Sequence, residues 1–276
     1  MNIFQRMFTR PTDNDAFLEQ KRRKLSRIKP ILKEGIYYTQ TALHYNFLAN
    51  ELRQKYNIVD TGNVSTNAYD PIALSMIEKH KDGLVLDCGA GKQATYYPNV
   101  VNFEIVAYDT TDVIGVGEEL PFKDDSFDAV FSLNVLEHVK NPFACAAELA
   151  RVMKPGASLY CVVPFLQPLH AYPHHYYNMS HQGLRNLFDA TLNIQTQEVI
   201  ASGLPIWTLS WFLQSWLNGL HGEVRQKFSE MKVSDLTGNP IDYLSESFVT
   251  MLSSEKNFEL ASTTALIAEK PTRCLS

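Results

Sequence analysis

Cysteine is scarce and scattered: four in 276 residues, with no C-x-x-C spacing. That excludes a disulfide framework and the usual zinc ligand sets. Cys88 and Cys161 fall inside apolar runs that read as buried strands, which points to a reducing, cytoplasmic setting. Long apolar runs are also missing. No segment approaches the roughly 20 residues that a bilayer span requires, and the first 35 residues hold nothing resembling a signal peptide. Net positive charge is absent too. At −5, the chain has no general attraction for phosphate backbones, so nucleic acid is an unlikely partner. Internal repeats and low-complexity tracts are lacking, which sets aside solenoids and disordered tails. A phosphate-binding loop of the G-x-x-x-x-G-K-[ST] kind is excluded, because Gln93 follows Gly91-Lys92 and Leu86 stands five places before Gly91.

What is present is the composition of one large α/β domain with additions: 45% hydrophobic and 20% charged. Up to about residue 69 the spacing of apolar residues reads as a helical extension, including "TQTALHYNFLANELRQKY". Within it, "KRRKLSRIK", residues 21–29, is strongly basic. It reads as a solvated helix face, with a polyanion- or lipid-headgroup-binding role as the alternative.

From Asp70, a cap ahead of Pro71, strands and helices alternate. "LVLDC", "VVNFEIV", "TDVIGV", "FDAVFSL" and "ASLYCVVP" are short apolar runs expected as parallel strands buried on both faces. Asn141-Pro142 opens a crossover helix between the last two, and Ser180 caps another. "LNIQTQEVIAS" and "STTALIAEKP" complete an expected seven strands in a doubly wound, mostly parallel, Rossmann-like sheet. The domain is therefore drawn as residues 70–276, with a helical insertion or lid over about 203–260. That insertion holds all three tryptophans. At 100° per residue Trp216 falls on the apolar face, whereas Trp207 and Trp211 fall on the polar side and need a partner.

The chemistry concentrates in "LDCGAGKQA", residues 86–94. Read as G-x-G-x-x-A it is a dinucleotide turn, and read as D-x-G-x-G it is a turn for a sulfonium nucleoside. Asp87, two residues before the first glycine, decides in favour of the second: at the mouth of the turn it would repel a diphosphate and attract a cationic sulfur.

Over residues 84–188 the chain resembles the class I S-adenosylmethionine-dependent methyltransferases, in the branch described as methyltransferase type 11. The likeness rests on "VLDCGAG", "EELPFKDDSFDAVFSLNVLEHV", "ARVMKPGASLYCVVP" and "HHYYNMSHQGLRNLF". It implies S-adenosylmethionine as cofactor and methyl transfer by in-line displacement. By it, Asp87, Cys88, Gly89, Ala90 and Gly91 border the methionine part, and Glu104, with Ile105 beside it, holds the ribose hydroxyls in preference to Asp109. Leu133, Asn134 and His138 follow the fourth strand of the motif series. This chain departs from the pattern at Gln93, which takes the place of the third glycine. Pro98 cuts the first crossover helix short. Where relatives carry an acid ahead of "LPF", this chain has Val116 and Gly117 nearest the place; either Glu118 or Glu119 substitutes, or the adenine is held by backbone and apolar contacts alone.

The substrate side is expected past the fifth strand, in "PFLQPLHAYPHHYYNMS". There Tyr172, His174 and Tyr176 line an aromatic loop joined by Trp207 and Trp211, and His175 and His170 are candidate bases. No carboxylate or cysteine accompanies these histidines at a metal-ligand spacing, so no metal is assigned. The expected acceptor is a small molecule, lipid or glycan-type compound. A noncatalytic binding or scaffold protein on the same fold is the alternative, and a nicotinamide oxidoreductase is disfavoured by Asp87.

Overall fold

The computed structural model describes residues 13–266, apart from 61, 63, 67, 171 and 172. The described residues divide into two compact units, 13–165 with 173–197, and 166–170 with 198–266.

The first unit is built on a seven-stranded sheet. Its chain order is α1 (Asp13–Ile28), β1 (Thr39–Gln40), β2 (Tyr45–Asn46), α2 (Asn50–Tyr56), α3 (Pro71–Lys79), β3 (Val85–Cys88), β4 (Val100–Glu104), β5 (Val113–Ile114), β6 (Phe127–Leu133), α4 (Pro142–Val152), β7 (Met153–Val162) and α5 (His181–Phe188). The strands lie in the order β1-β2-β5-β4-β3-β6-β7, parallel except for the β1/β2 pair. Strand order reverses at β3 and β6, and ligands of open α/β sheets bind beyond the carboxyl ends of the strands at such a point.

Alternation along the strands decides the two faces. Leu86, Cys88, Val101 and Phe103 pack with α1 and α4 through Leu25, Ile28, Cys145 and Leu149. Val85, Val100, Ala129 and Phe131 face Ala73 and Ile77 of α3. The expected caps hold: Asp70, Asn141 and Ser180 each accept a backbone N–H, from Ala73, Ala144 and Gly183.

Two expectations are corrected. The segments 192–202 and 262–266 form no strand; the rest of "STTALIAEKP" lies outside the described residues. The sheet reaches seven strands at its other edge, through a hairpin in the stretch expected as continuous helix. Tyr45 and Phe47 alternate into the core, and their N–H groups reach Asp112 O at 3.0 Å and Ile114 O at 2.8 Å, satisfying the free edge of β5. Only Asn50–Tyr56 of that stretch is helical.

The basic segment is corrected as well. No helix follows β3, since residues 89–99 are turn and loop, and α1 supplies cover on that face instead. Lys21 and Lys24 are buried around Asp112. Lys24 Nζ donates to Asp112 Oδ2 at 2.9 Å and Val100 O at 2.6 Å, and lies 3.3 Å from the Tyr96 ring centroid. Lys21 Nζ donates to Thr111 O at 2.7 Å and reaches Asp112 Oδ1 at 3.5 Å. The Tyr96 hydroxyl and the Asn102 N–H also donate to Asp112. Burial pushes Lys24 down to about 8 and lowers Lys21, and the Asp112 charge opposes both shifts. Arg22 and Arg23 remain at the surface, paired with Glu19.

The second unit, over its described residues, contains α6 (Pro205–Asn218), α7 (Gly222–Ser229), α8 (Val233–Leu236), α9 (Ser247–Thr250) and α10 (Ser254–Leu260). Its core joins Leu220, Phe228 and Leu252. Trp216 stacks on Phe228 at 5.8 Å and donates its indole N–H to Phe248 O at 2.8 Å.

Breaking a buried ion pair by deleting one partner costs about 3–5 kcal/mol. Asp112→Ala is expected to lower the unfolding free energy by that order in urea titration, whereas Arg22→Ala changes it by less than about 0.5 kcal/mol.

Candidate functional site

A cavity of about 580 Å³ opens beyond the carboxyl ends of β3, β4 and β6. Cys88 and Gly89 enter it from β3, Glu104, Ile105 and Val106 from β4, and Asn134 and Val135 from the turn after β6. Val116, Gly117 and Glu118 line it after β5, and His138, Val139 and Lys140 after β6. A segment that motif reading did not mark, with Ile58, Val59, Val64 and Ser65, closes it together with Pro173 and His174. A more open cavity of about 610 Å³ adjoins it and shares Tyr56 and Lys140.

The glycine turn owes its shape to backbone that side chains rarely adopt: φ is +85° at Gly89 and +62° at Gly91. A Cβ on Gly89 would lie 2.4 Å from Val135 Cγ2, and one on Gly91 would lie 2.6 Å from Ser65 O. Gln93, in the place of the third glycine, is buried and props the turn from within by donating to Ala90 O at 2.6 Å. Ser65 O in turn accepts from Lys92 N at 2.8 Å, which draws the N-terminal segment across the turn.

Glu104 stands at the end of β4 with its oxygens on two backbone N–H groups, Gly91 N at 2.9 Å and Ile105 N at 2.7 Å. Burial raises it above the usual carboxylate range against the pull of those donors. Asp109, the competing ribose ligand, lies half-exposed at 3.5 Å from Lys92.

The expected place of Asp87 is corrected. It does not line the cavity: it is 1% exposed, on the side of the sheet that faces α3, and accepts the Tyr69 hydroxyl at 2.6 Å. Burial, with the Glu104 charge adding, pushes it up to about 7 against that hydrogen bond. The acidic character of the cavity comes instead from Glu104 and Glu118. Glu118 is buried, accepts from Asn141 N at 3.2 Å and is raised by burial. Glu119 turns away to Lys55 and the Tyr56 hydroxyl, so of the two acids ahead of "LPF" it is Glu118 that faces the cavity. Leu133 packs into the core beside Val85 and Phe131, and Ala90 is buried behind the turn.

His138 and His174 both line the cavity, with His138 Nδ1 2.8 Å from His174 O. His174 Nε2 lies 2.9 Å from the carbonyl of Asn57, a left-handed residue at the end of α2. Its ring stacks on Tyr176 at 5.1 Å. His175 Nε2 lies 2.9 Å from Asn178 Oδ1. His170, Trp207 and Trp211 belong to the second unit, where His170 and Trp211 have ring centroids 5.1 Å apart and Trp207 donates to Ala201 O. Tyr172 lies outside the described residues.

Chemically, the cavity offers carboxylates, an amide and apolar walls, and among the described residues that line it Lys140 is the one lysine and there is no arginine. Diphosphates require the opposite balance. An adenosyl group with hydroxyls, an amino group and a cationic sulfur suits it.

Residues 84–161 match the family model described as a methyltransferase domain. An uncharacterized protein of Methanocaldococcus jannaschii is 35% identical over 104 residues, 33% of this chain and 45% of that protein. An uncharacterized methyltransferase of Mycobacterium avium is 51% identical over 53 residues, 19% of this chain and 21% of that protein. The chain thus spans less than half the length of these curated relatives. Among solved structures, the Bacillus subtilis YcgJ protein is 20% identical, with 57% of this chain and 88% of that chain covered at a TM-score of 0.36. Fold and site define a Rossmann-like α/β unit. Residues 84–161 within it are what matches the methyltransferase-domain model.

Behind the cavity-lining His138, Glu137 is fully buried and burial pushes it up to about 8. Asp87 and Glu137 both hold a proton in the folded chain that the unfolded chain releases near pH 4. Their contribution to stability is therefore complete below that pH and is lost as pH rises toward 8. Unfolding free energy is expected to fall across that window, and Asp87→Asn with Glu137→Gln to flatten the slope, as read by denaturant titration at stepped pH.

Proposed function

We propose that this chain binds S-adenosylmethionine in the cavity beyond β3, β4 and β6 and transfers its methyl group to a small-molecule, lipid or glycan-type acceptor. The observation that carries the reading is Glu104: a carboxylate at the end of the strand next to the glycine turn, lining a cavity rich in acids and poor in cations. Glu104 would accept the two ribose hydroxyls, Glu118 the adenine amino group, and Ile105 and Val116 would flank the base. Asn134, held at φ +55° after β6, would meet the methionine end.

The cofactor brings a methyl group already activated on a cationic sulfur. The protein's task is to align a nucleophile and exclude water, which the segment bearing Val64 and Ser65 and the loop bearing Pro173 and His174 serve by closing over the turn. Where the nucleophile carries a proton, His138 and His174 are better placed to accept it than His175, because they line the cavity. A cytoplasmic setting accords with the unpaired thiols of Cys88, Cys145 and Cys161.

Equilibrium dialysis against labelled S-adenosylmethionine tests the reading, with NADH as the competing ligand. Binding of the sulfonium and not of NADH is expected. Two charge-assisted hydrogen bonds are lost in Glu104→Ala, so its affinity is expected to fall about 10- to 100-fold or more. Binding of NADH in preference to the sulfonium would sink the reading.

A further inference from the structure

The second cavity, of about 610 Å³, lies wholly in the first unit and has the opposite charge balance to the first. Lys55 and Tyr56 line it from α2, Pro142 and Phe143 from the start of α4, with Lys140 and Tyr177 beside them. Among the described residues that line it there are two lysines and no carboxylate, whereas Glu104 and Glu118 line the first. Space of that size holds a small molecule.

The two lysines are not equivalent. Lys55 is paired with Glu119, which also accepts the Tyr56 hydroxyl at 2.7 Å. Among the described residues Lys140 has no carboxylate within ion-pair distance. Its Nζ donates to Lys55 O at 3.0 Å, and its own carbonyl accepts the Tyr177 hydroxyl at 3.3 Å. These two bonds hold the residue on the wall that the cavities share. An ammonium has three donors, and only one of them is used here, so two N–H groups remain for a ligand. Apolar surface stands next to them. Phe143 is 61% exposed and Tyr177 41%, whereas Cys145, Ala146, Leu149 and Val152 of the same helix as Phe143 are buried.

We propose that this cavity is the acceptor subsite, that it takes an acceptor bearing an anionic group on an aromatic or other apolar body, and that Lys140 is the residue that selects the anion. The inference rests on the adenosyl reading above, which assigns the first cavity to the methyl donor. The two cavities adjoin at Tyr56 and Lys140, so an acceptor anchored in the second has the donor's cavity next to it. The anion is the handle and not the nucleophile: an ammonium bound to it draws its charge away from attack, and the nucleophile is another atom of the same molecule. The apolar body packs against Phe143 and Tyr177. Separation of sign keeps the two ligands in their own places. A cationic donor is favoured by Glu104 and Glu118, and an anionic acceptor by Lys140.

Equilibrium dialysis of the full chain, with and without saturating S-adenosylhomocysteine, tests this with naphthoate, naphthyl phosphate and the neutral naphthamide as probes. Either anion, or both, is expected to bind more tightly than the amide, and the one that binds tells a carboxylate acceptor from a phosphate one. Lys140→Gln is expected to weaken the anion about tenfold and to leave the amide unchanged, whereas Lys140→Arg retains the preference. Arg22→Gln removes the same charge from α1, which lines neither cavity, and changes neither affinity. Phe143→Ala weakens anion and amide alike, by about threefold. Lys140 and Phe143 are exposed side chains, so their variants keep the fold. No preference for either anion over the amide, a preference that survives Lys140→Gln, a loss equalled by Arg22→Gln, affinities untouched by Phe143→Ala, or displacement of the anion by S-adenosylhomocysteine overturns the proposal while leaving cofactor binding intact. If S-adenosylhomocysteine itself does not bind, the adenosyl reading falls and the proposal with it.

Discussion

The arrangement around the glycine turn depends on one buried carboxylate. Asp112 gathers Lys21, Lys24, the Tyr96 hydroxyl and the Asn102 N–H at the start of β5. Parallel sheets need cover on both faces, and this chain lacks the helix that follows the first strand of such a sheet. The charge cluster fastens α1 in that place, with Leu25 and Ile28 directed into the core. Charges taken out of water are expensive unless every donor and acceptor is matched, and the carbonyls of Thr111 and Val100 complete the matching here. The chain that leaves α1 then forms the hairpin on β5 and crosses the turn at Ser65.

Four acids of this unit show how environment assigns different work to one functional group. Asp112 is tied to the ammonium groups of Lys21 and Lys24. Glu104 is held by backbone N–H groups at the edge of the cavity. Asp87 shares a hydrogen bond with Tyr69 in the core, away from the cavity lining, and its contribution is to the turn's packing. Glu137 is buried with no hydrogen-bond donor on its carboxyl and the His138 ring 3.7 Å away. The distinction lies in the donors each finds, not in the residue type.

Much of the site could be read in one dimension. The glycine turn, Glu104 at the end of its strand, and the caps at Asp70, Asn141 and Ser180 are local features. Each depends on neighbours within a few residues, and the backbone chemistry that demands them is the same in any fold. The choice between Glu118 and Glu119 was not local, because it turns on which way a single short helical turn faces. The missing strands at 192–202 and 262–266 were also beyond local reading. Apolar runs of that length serve as strands only where a sheet edge is there to pair them, and here the hairpin at Tyr45 pairs the edge of β5.

By itself, then, the sequence determined a mostly parallel α/β sheet with a glycine turn between Cys88 and Gly91, because period, capping and glycine geometry act over short range. Only the tertiary structure decided that Lys21 and Lys24 are buried and not solvated, that Asp87 is withdrawn from the cavity, and that Glu137 is sealed without a partner for its carboxyl. Burial and partnership are properties of residues far apart in the chain, Lys24 and Asp112 among them, and no local pattern encodes the dielectric in which a charge will sit.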